Sequence, residues 1–208
     1  MSSFSIVRQD QFIQATRDSG YKGTDSALSE IIDNAVQAKA TRIAIRMVGE
    51  EQEYSGRGAR PQARVKEVVI ADDGRGMDAE TLRKALRFGD GSRFNDRADL
   101  GRFGMGLPNS SVSQCMRFEV YTWQRDGKTL YTYVDVDEVS NNEMEEVPKP
   151  IHKEIPKEYL EMAKSKSGTV VIWKGCDRLD HGQKLDTLDR SLRHSLGRMF
   201  RYLSLIHI

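Results

Sequence analysis

Two β-rich runs, residues 116–123 and 128–135, are separated by only four residues, Gln124-Arg125-Asp126-Gly127. A connection that short closes an antiparallel hairpin, because a parallel return needs a crossover of about a dozen residues or more. The chain therefore does not fold as a regular all-parallel array. Further strands are predicted over 41–48, with Ile43, Ile45 and Met47 on one side, over 65–71 and over 169–173. Between them, the pattern predicts helices over 9–18, 27–39, 79–88, 106–114, 156–164 and 186–202. Leu28, Ile31, Ile32, Ala35 and Val36 make the apolar stripe of the second helix, behind the N-cap candidates Asp25 and Ser26. Asp78 is the candidate cap of the third, and Pro156 sits in the first turn of the fifth. Residues 49–62, 89–106 and 137–155 are polar or punctuated by Gly and Pro, and read as loops. Helices interleaved irregularly with strands that include a hairpin specify an α/β class: a two-layer sandwich, a mixed sheet with helices on one face.

A chain of 208 residues suffices for one sizeable domain or two very small ones. Its 32 Lys and Arg balance 31 Asp and Glu, a net charge of +1, so there is no global basic field for nucleic acid, although a local patch stays open. No apolar run approaches the ~20 residues of a membrane span. The start, Met1-Ser2-Ser3-Phe4-Ser5, lacks the basic region and apolar stretch of a signal peptide. Cys115 and Cys176 form no CxxC pair and read as reduced thiols, the usage of a cytoplasmic protein.

Three constellations can carry chemistry. Glu30, Asp33, Asn34 and Gln37 stand three and four residues apart on the second helix, so they share a stripe. That stripe is either an ordinary solvated face or the wall of a ligand site. Asp72-Asp73-Gly74-Arg75-Gly76-Met77 follows the apolar strand Val68-Val69-Ile70-Ala71. Its glycines permit positive φ and close approach of backbone to a ligand, and a carboxylate at a strand end can accept from an amino group. A plain strand-to-helix turn is the simpler reading. The match of residues 74–79 to GxGxxA invites a dinucleotide site, but a long Gly-rich loop comes next where a prompt parallel strand is required. The spacing also fails for an EF-hand. Gly101-Arg102-Phe103-Gly104-Met105-Gly106-Leu107 opens a predicted helix, where exposed N–H groups and the helix dipole favour phosphate; the alternative is a flexible loop. There is no GxxxxGK[ST], so the P-loop is excluded.

In order and spacing, Glu30-Ile31-Ile32-Asp33-Asn34, Asp72-Asp73-Gly74-Arg75-Gly76, Gly101-Arg102-Phe103-Gly104-Met105-Gly106 and Gly168-Thr169-Val170-Val171-Ile172 resemble the ATP-binding domain of the GHKL superfamily. That superfamily includes DNA gyrase, the large heat-shock chaperone ATPase, MutL, MORC proteins and histidine kinases. The resemblance spans residues 21–173 and implies the Bergerat fold, with ATP between helices and a mobile lid. It implies Glu30 as the general base or water-orienting group, and Asn34 as the ligand of Mg²⁺. Asp72 would accept from the adenine amino group, with Gly74, Gly76 and Met77 around it and Thr169 holding a water there. Gly101, Gly104 and Gly106, with Arg102, Phe103 and Met105 between them, would form the lid hinge and phosphate cradle. Asp33 would line the site; Arg93 and Arg102 would face phosphate or, more simply, solvent.

A glutamate at position 30 favours hydrolysis over the histidine-kinase alternative, and His152, His181, His194 and His207 all follow the lid. Gln37 stands where many hydrolysing members have Asp, and the lysine that senses the γ-phosphate usually comes from a following domain. A non-hydrolysing, nucleotide-gated interaction module is therefore a third reading. Ser19-Gly20-Tyr21-Lys22-Gly23-Thr24 looks most like MORC-type and related bacterial ATPases.

The expected organisation is an N-terminal strap at 1–20, the ATPase domain at 21–180, and a helix at 181–202 leading to a further domain. Residues 203–208 match the in-frame translation of a common sequencing adapter; a natural apolar helix end is the alternative. The expected partners are ATP, a second copy in an ATP-dependent homodimer, and a DNA or protein client reached through downstream domains, with no membrane.

Overall fold

In the computed structural model the described residues are 8–52, 62–88, 106–125, 127–201 and 206–207. The middle of the sheet is built from three strands that are apolar on both sides: β2 (Gln62–Asp72), β3 (Cys115–Trp123) and β6 (Gly168–Cys176). β6 lies between the other two, antiparallel to both. Outward from β3 come β4 (Leu130–Asp135) and the two-residue β5 (Ile151–His152); outward from β2 come β1 (Ile43–Gln52) and β7 (Ile206–His207). Every neighbouring pair is antiparallel except β1 and β7, so the sheet is mixed only at that edge.

Side chains alternate across the strands and sort into two cores. Val68 and Ile70 of β2, Phe118 and Val120 of β3, and Trp173 of β6 face the helices. There they meet Ile13 of α1 (Gln9–Ser19), Leu28 and Ile32 of α2 (Thr24–Gln37), Leu82 of α3 (Ala79–Ala85), Val112 of α4 (Gly106–Val112), Val136 of α5 (Val136–Ser140) and Leu188 of α6 (Leu185–Met199). The indole N–H of Trp173 donates to the Ser111 hydroxyl at 2.9 Å, so this buried polar group is satisfied. The opposite face, with Val69, Tyr121, Tyr131, Val170 and Ile172, carries no α-helix among the described residues. Ile155 and Tyr159, from an irregular segment, cover it.

Several expected boundaries move. α2 begins at Thr24 rather than 27, with Gly23 at its N-cap, so Asp25 and Ser26 stand inside the first turn, where the Asp25 carboxylate accepts from the Ser26 N–H at 2.7 Å. The first N–H, that of Thr24, instead donates to Asp180 at 2.7 Å, a cap supplied from 156 residues away. Residues 49–52 are not loop but continue β1 past a bulge at Val48/Gly49. Residues 137–155 include most of α5, whose N-cap Asp135 accepts from the N–H groups of Asp137 and Glu138 at 3.0 and 3.2 Å, and β5. The helix expected at 156–164 is a single 3₁₀ turn, Lys157–Tyr159. Tyr159 donates to Glu67 at 2.7 Å and the Trp123 indole donates to the Ser165 carbonyl at 3.1 Å, so these groups tie the segment to the sheet.

Candidate functional site

β2 ends on two adjacent aspartates that the fold treats differently. Asp73 accepts from the Thr41 N–H at 2.6 Å, the Arg42 N–H at 2.8 Å and the Thr41 hydroxyl at 2.6 Å, which pins the turn into β1. Burial pushes its carboxyl up, but these donors outweigh that and hold it below the usual range. Asp72 accepts from the Gly74 N–H at 2.8 Å and pairs across the sheet with Thr169. Burial pushes its carboxyl up to about 6; the charge of Asp73 adds to the rise, and the Gly74 and Thr169 N–H groups oppose it.

The turn beyond is fixed by close approach. Gly76 has φ +66°, and a Cβ there would overlap the Trp123 carbonyl. Met77 N–H then donates to the Thr122 hydroxyl at 2.9 Å, whose oxygen lies 3.2 Å from the Thr169 hydroxyl. Asp72, Met77, Thr122 and Thr169 thus form one polar knot at the sheet end.

Facing it is α2. Glu30 accepts from the Tyr21 hydroxyl at 3.0 Å. Burial raises its carboxyl above the ordinary range, the Tyr21 hydrogen bond pulls it down, and the charge of Asp33 adds to the rise. The first residue of α4 is Gly106, where a Cβ would overlap Glu30 Oε1, so that oxygen lies against the start of α4.

Between these elements lies a cavity of about 430 Å³. It gathers Glu30, Asn34, Asp72, Gly76, Met77, Gly106 and Thr169 from the sequence-predicted set. Two of that set stay outside its lining. Asp33 is off it because residues advance about 100° per position around a helix, and the lining positions 30, 31, 34, 35, 37 and 38 centre on a different direction. Gly74 acts one step back, through its N–H on Asp72. Gly101, Arg102, Phe103, Gly104 and Met105, and Arg93, lie outside the described residues. Arg75, Thr81, Lys84 and Leu107 also line the cavity and were not anticipated, although Arg75 and Leu107 sit inside the quoted motifs. Lys84 of α3 pairs with Glu80 at 2.6 Å and carries no sequence signal beyond that helix. A larger cavity, about 660 Å³, lies beside α1 and α3 and contains none of the motif residues. Among the described residues, no helix is long and apolar enough to cross a membrane.

A one-sided sandwich with a buried carboxylate at a strand end, facing a second carboxylate on a covering helix across a cavity, has the architecture of the Bergerat fold. Residues 21–169 match the family described as histidine kinase-, DNA gyrase B- and HSP90-like ATPase, and the chain belongs to that family. It is also similar to ATPase MORC2A of Mus musculus and ATPase MORC2 of Homo sapiens, each 29% identical over 121 residues. Those matches cover 54% of this chain and 11% of each relative's length, so the chain corresponds to a small part of them.

Proposed function

We propose that the cavity binds ATP with Mg²⁺ and hydrolyses it to ADP and phosphate. The carrying observation is the contrast between the two aspartates: Asp73 is tied to Thr41 and Arg42, while Asp72 is held at the cavity with acceptor capacity to spare. The adenine amino group would donate to Asp72, with Met77 and Val171 as apolar neighbours of the base. Asn34 offers one amide oxygen to the metal. Among the described residues no group of three or more His, Cys, Asp or Glu forms a cage of its own, which fits an ion that takes its remaining ligands from phosphate and water. Bound there, Mg²⁺ supplies neutralisation of phosphate charge.

Glu30 accepts the proton of a water as its oxygen bonds to the γ-phosphorus. The bond from that phosphorus to the β,γ-bridging oxygen breaks, and ADP leaves with the electron pair. Gly101–Gly106 would close over the phosphates as a lid, and ATP would drive homodimerisation through the N-terminal segment. A downstream DNA or protein client would read that state. The free, buried Cys115 and Cys176 fit a reducing, cytoplasmic setting.

Calorimetry with ATP and Mg²⁺ tests the binding, and Glu30→Ala tests the chemistry. The variant is expected to keep ATP and lose about 10²–10⁴-fold in turnover, the range a general base contributes. Unchanged turnover would remove Glu30 from its role. Gln37, which lines the cavity, favours one second reading, a non-hydrolysing nucleotide-gated module; release of free phosphate separates the two.

A further inference from the structure

The Glu30 carboxylate has two oxygens in different surroundings. Oε2 accepts from the Tyr21 hydroxyl at 3.0 Å; Oε1 lies against Gly106, where even a methyl group would overlap it. Among the described residues, Tyr21 donates the one hydrogen bond this carboxylate accepts. A phenol carries a single O–H, and an ionised carboxylate only accepts, so the direction of the bond is fixed.

Tyr21 is itself held. Its carbonyl accepts from Gln114 Nε2 at 3.1 Å, and Gln114 Oε1 accepts from the Thr24 hydroxyl at 2.9 Å. Gln114 is 1% exposed and Thr24 is fully buried, so the tyrosine backbone is anchored in a dry network and not on a free loop. Thr24 and Asp180 complete it through reciprocal hydrogen bonds of 2.7 and 2.9 Å.

We infer that Tyr21 is a positioning residue for Glu30: it occupies Oε2 and leaves Oε1 as the oxygen offered beside Gly106, where water would be activated. The inference rests on the assignment of Glu30 as the base. Donation to a carboxylate stabilises its charged form, so Tyr21 also lowers the proton affinity that burial raises. Among the described residues, the other charged groups at this site are Asp33 on the same helix and Asp72, Arg75 and Lys84 lining the cavity. Burial and the Asp33 charge raise the proton affinity of this carboxyl, and the Tyr21 phenol is the donor that opposes them.

Tyr21→Phe removes the hydroxyl and keeps the ring. It is expected to leave KM for ATP within about twofold and to lower kcat roughly tenfold, a part of the ~10²–10⁴ that a placed base contributes. The acid limb of the kcat–pH profile should move to higher pH, because the carboxylate loses its donor. A role in packing alone would lower Tm and leave that limb in place. Carbon-13 detected titration of the Glu30 carboxyl in nucleotide-free protein gives a second reading that needs no turnover, and Tyr21→Phe should raise its midpoint. Glu30→Gln separates the two levels of the argument. If it turns over normally, the base assignment and this inference fall together. If it is inactive while Tyr21→Phe matches the unsubstituted chain in kcat and acid limb, or leaves the carboxyl titration unmoved, this inference alone is overturned.

Discussion

At the residue scale, Asp72 places a demand on the fold that Asp73 does not. Its carboxyl titrates near 6 in the folded chain against an ordinary 3.8, so between those pH values the folded state holds a proton that the unfolded state has lost. Stability therefore falls as pH rises through that window and levels off above it. At about 1.4 kcal/mol per pH unit, the cost of the buried charge at neutral pH reaches at most about 3 kcal/mol. Asp72→Asn is expected to raise Tm of the nucleotide-free domain at pH 7.5, with the gain shrinking as pH approaches 4. The same substitution should weaken ATP roughly 10- to 100-fold, since hydrogen bonds to charged groups are worth about 1.5–3 kcal/mol. Thermal melts across pH and calorimetry at pH 7.5 check both halves. A Tm that drops while affinity holds would return Asp72 to a purely structural role. Loss of stability where a binding group is buried charged is the trade-off expected of a site retained for its ligand.

At the element scale, the first turn of α4 and the face of α2 meet at Gly106 and Glu30. Ala favours a helix interior over Gly by about 1 kcal/mol, less at a first position, and the atoms a new Cβ would strike, Oε1, Cδ and Cγ, all belong to the single Glu30 side chain. Gly106→Ala is therefore expected to leave Tm unchanged or slightly raised while displacing Glu30, so kcat falls at least tenfold with little change in ATP affinity. A combined melt and steady-state assay checks this; retained kcat would mean that Oε1 need not lie where it does. Helix periodicity made the Glu30 and Asn34 face legible from sequence, and the strand pattern made the Asp72 turn legible, because both are local. The N-cap of α2 was not legible, since Asp180 reaches it across 156 residues. Nor was the Tyr21–Glu30 contact, whose partners stand nine residues apart with a non-helical stretch between them. Residues 156–164 misled for the converse reason. Their helical pattern is real, yet Tyr159 and Ser165 hold the backbone to the sheet after one turn.

At the scale of the whole molecule, a nucleotide held between α2, α4 and the end of β2 bridges elements far apart in sequence. Binding should therefore stabilise the domain as a unit. A ligand at 100 times its Kd adds about 2.7 kcal/mol to the folded state. For a chain of this length about 2–4 °C accompany each kcal/mol, so saturating ATP with Mg²⁺ is expected to raise Tm by roughly 5–10 °C. Glu30→Ala is the preparation of choice, because it should hold ATP without consuming it, and Asp72→Asn should show a much reduced shift. Dimerisation adds a second signature that simple binding lacks. If ATP joins two copies, Tm with ATP rises with protein concentration, whereas Tm without nucleotide does not. The balanced net charge of +1 offers no large self-repulsion to oppose such association. A shift independent of protein concentration would leave ATP binding in place and overturn the dimer; no shift at saturating nucleotide would overturn both.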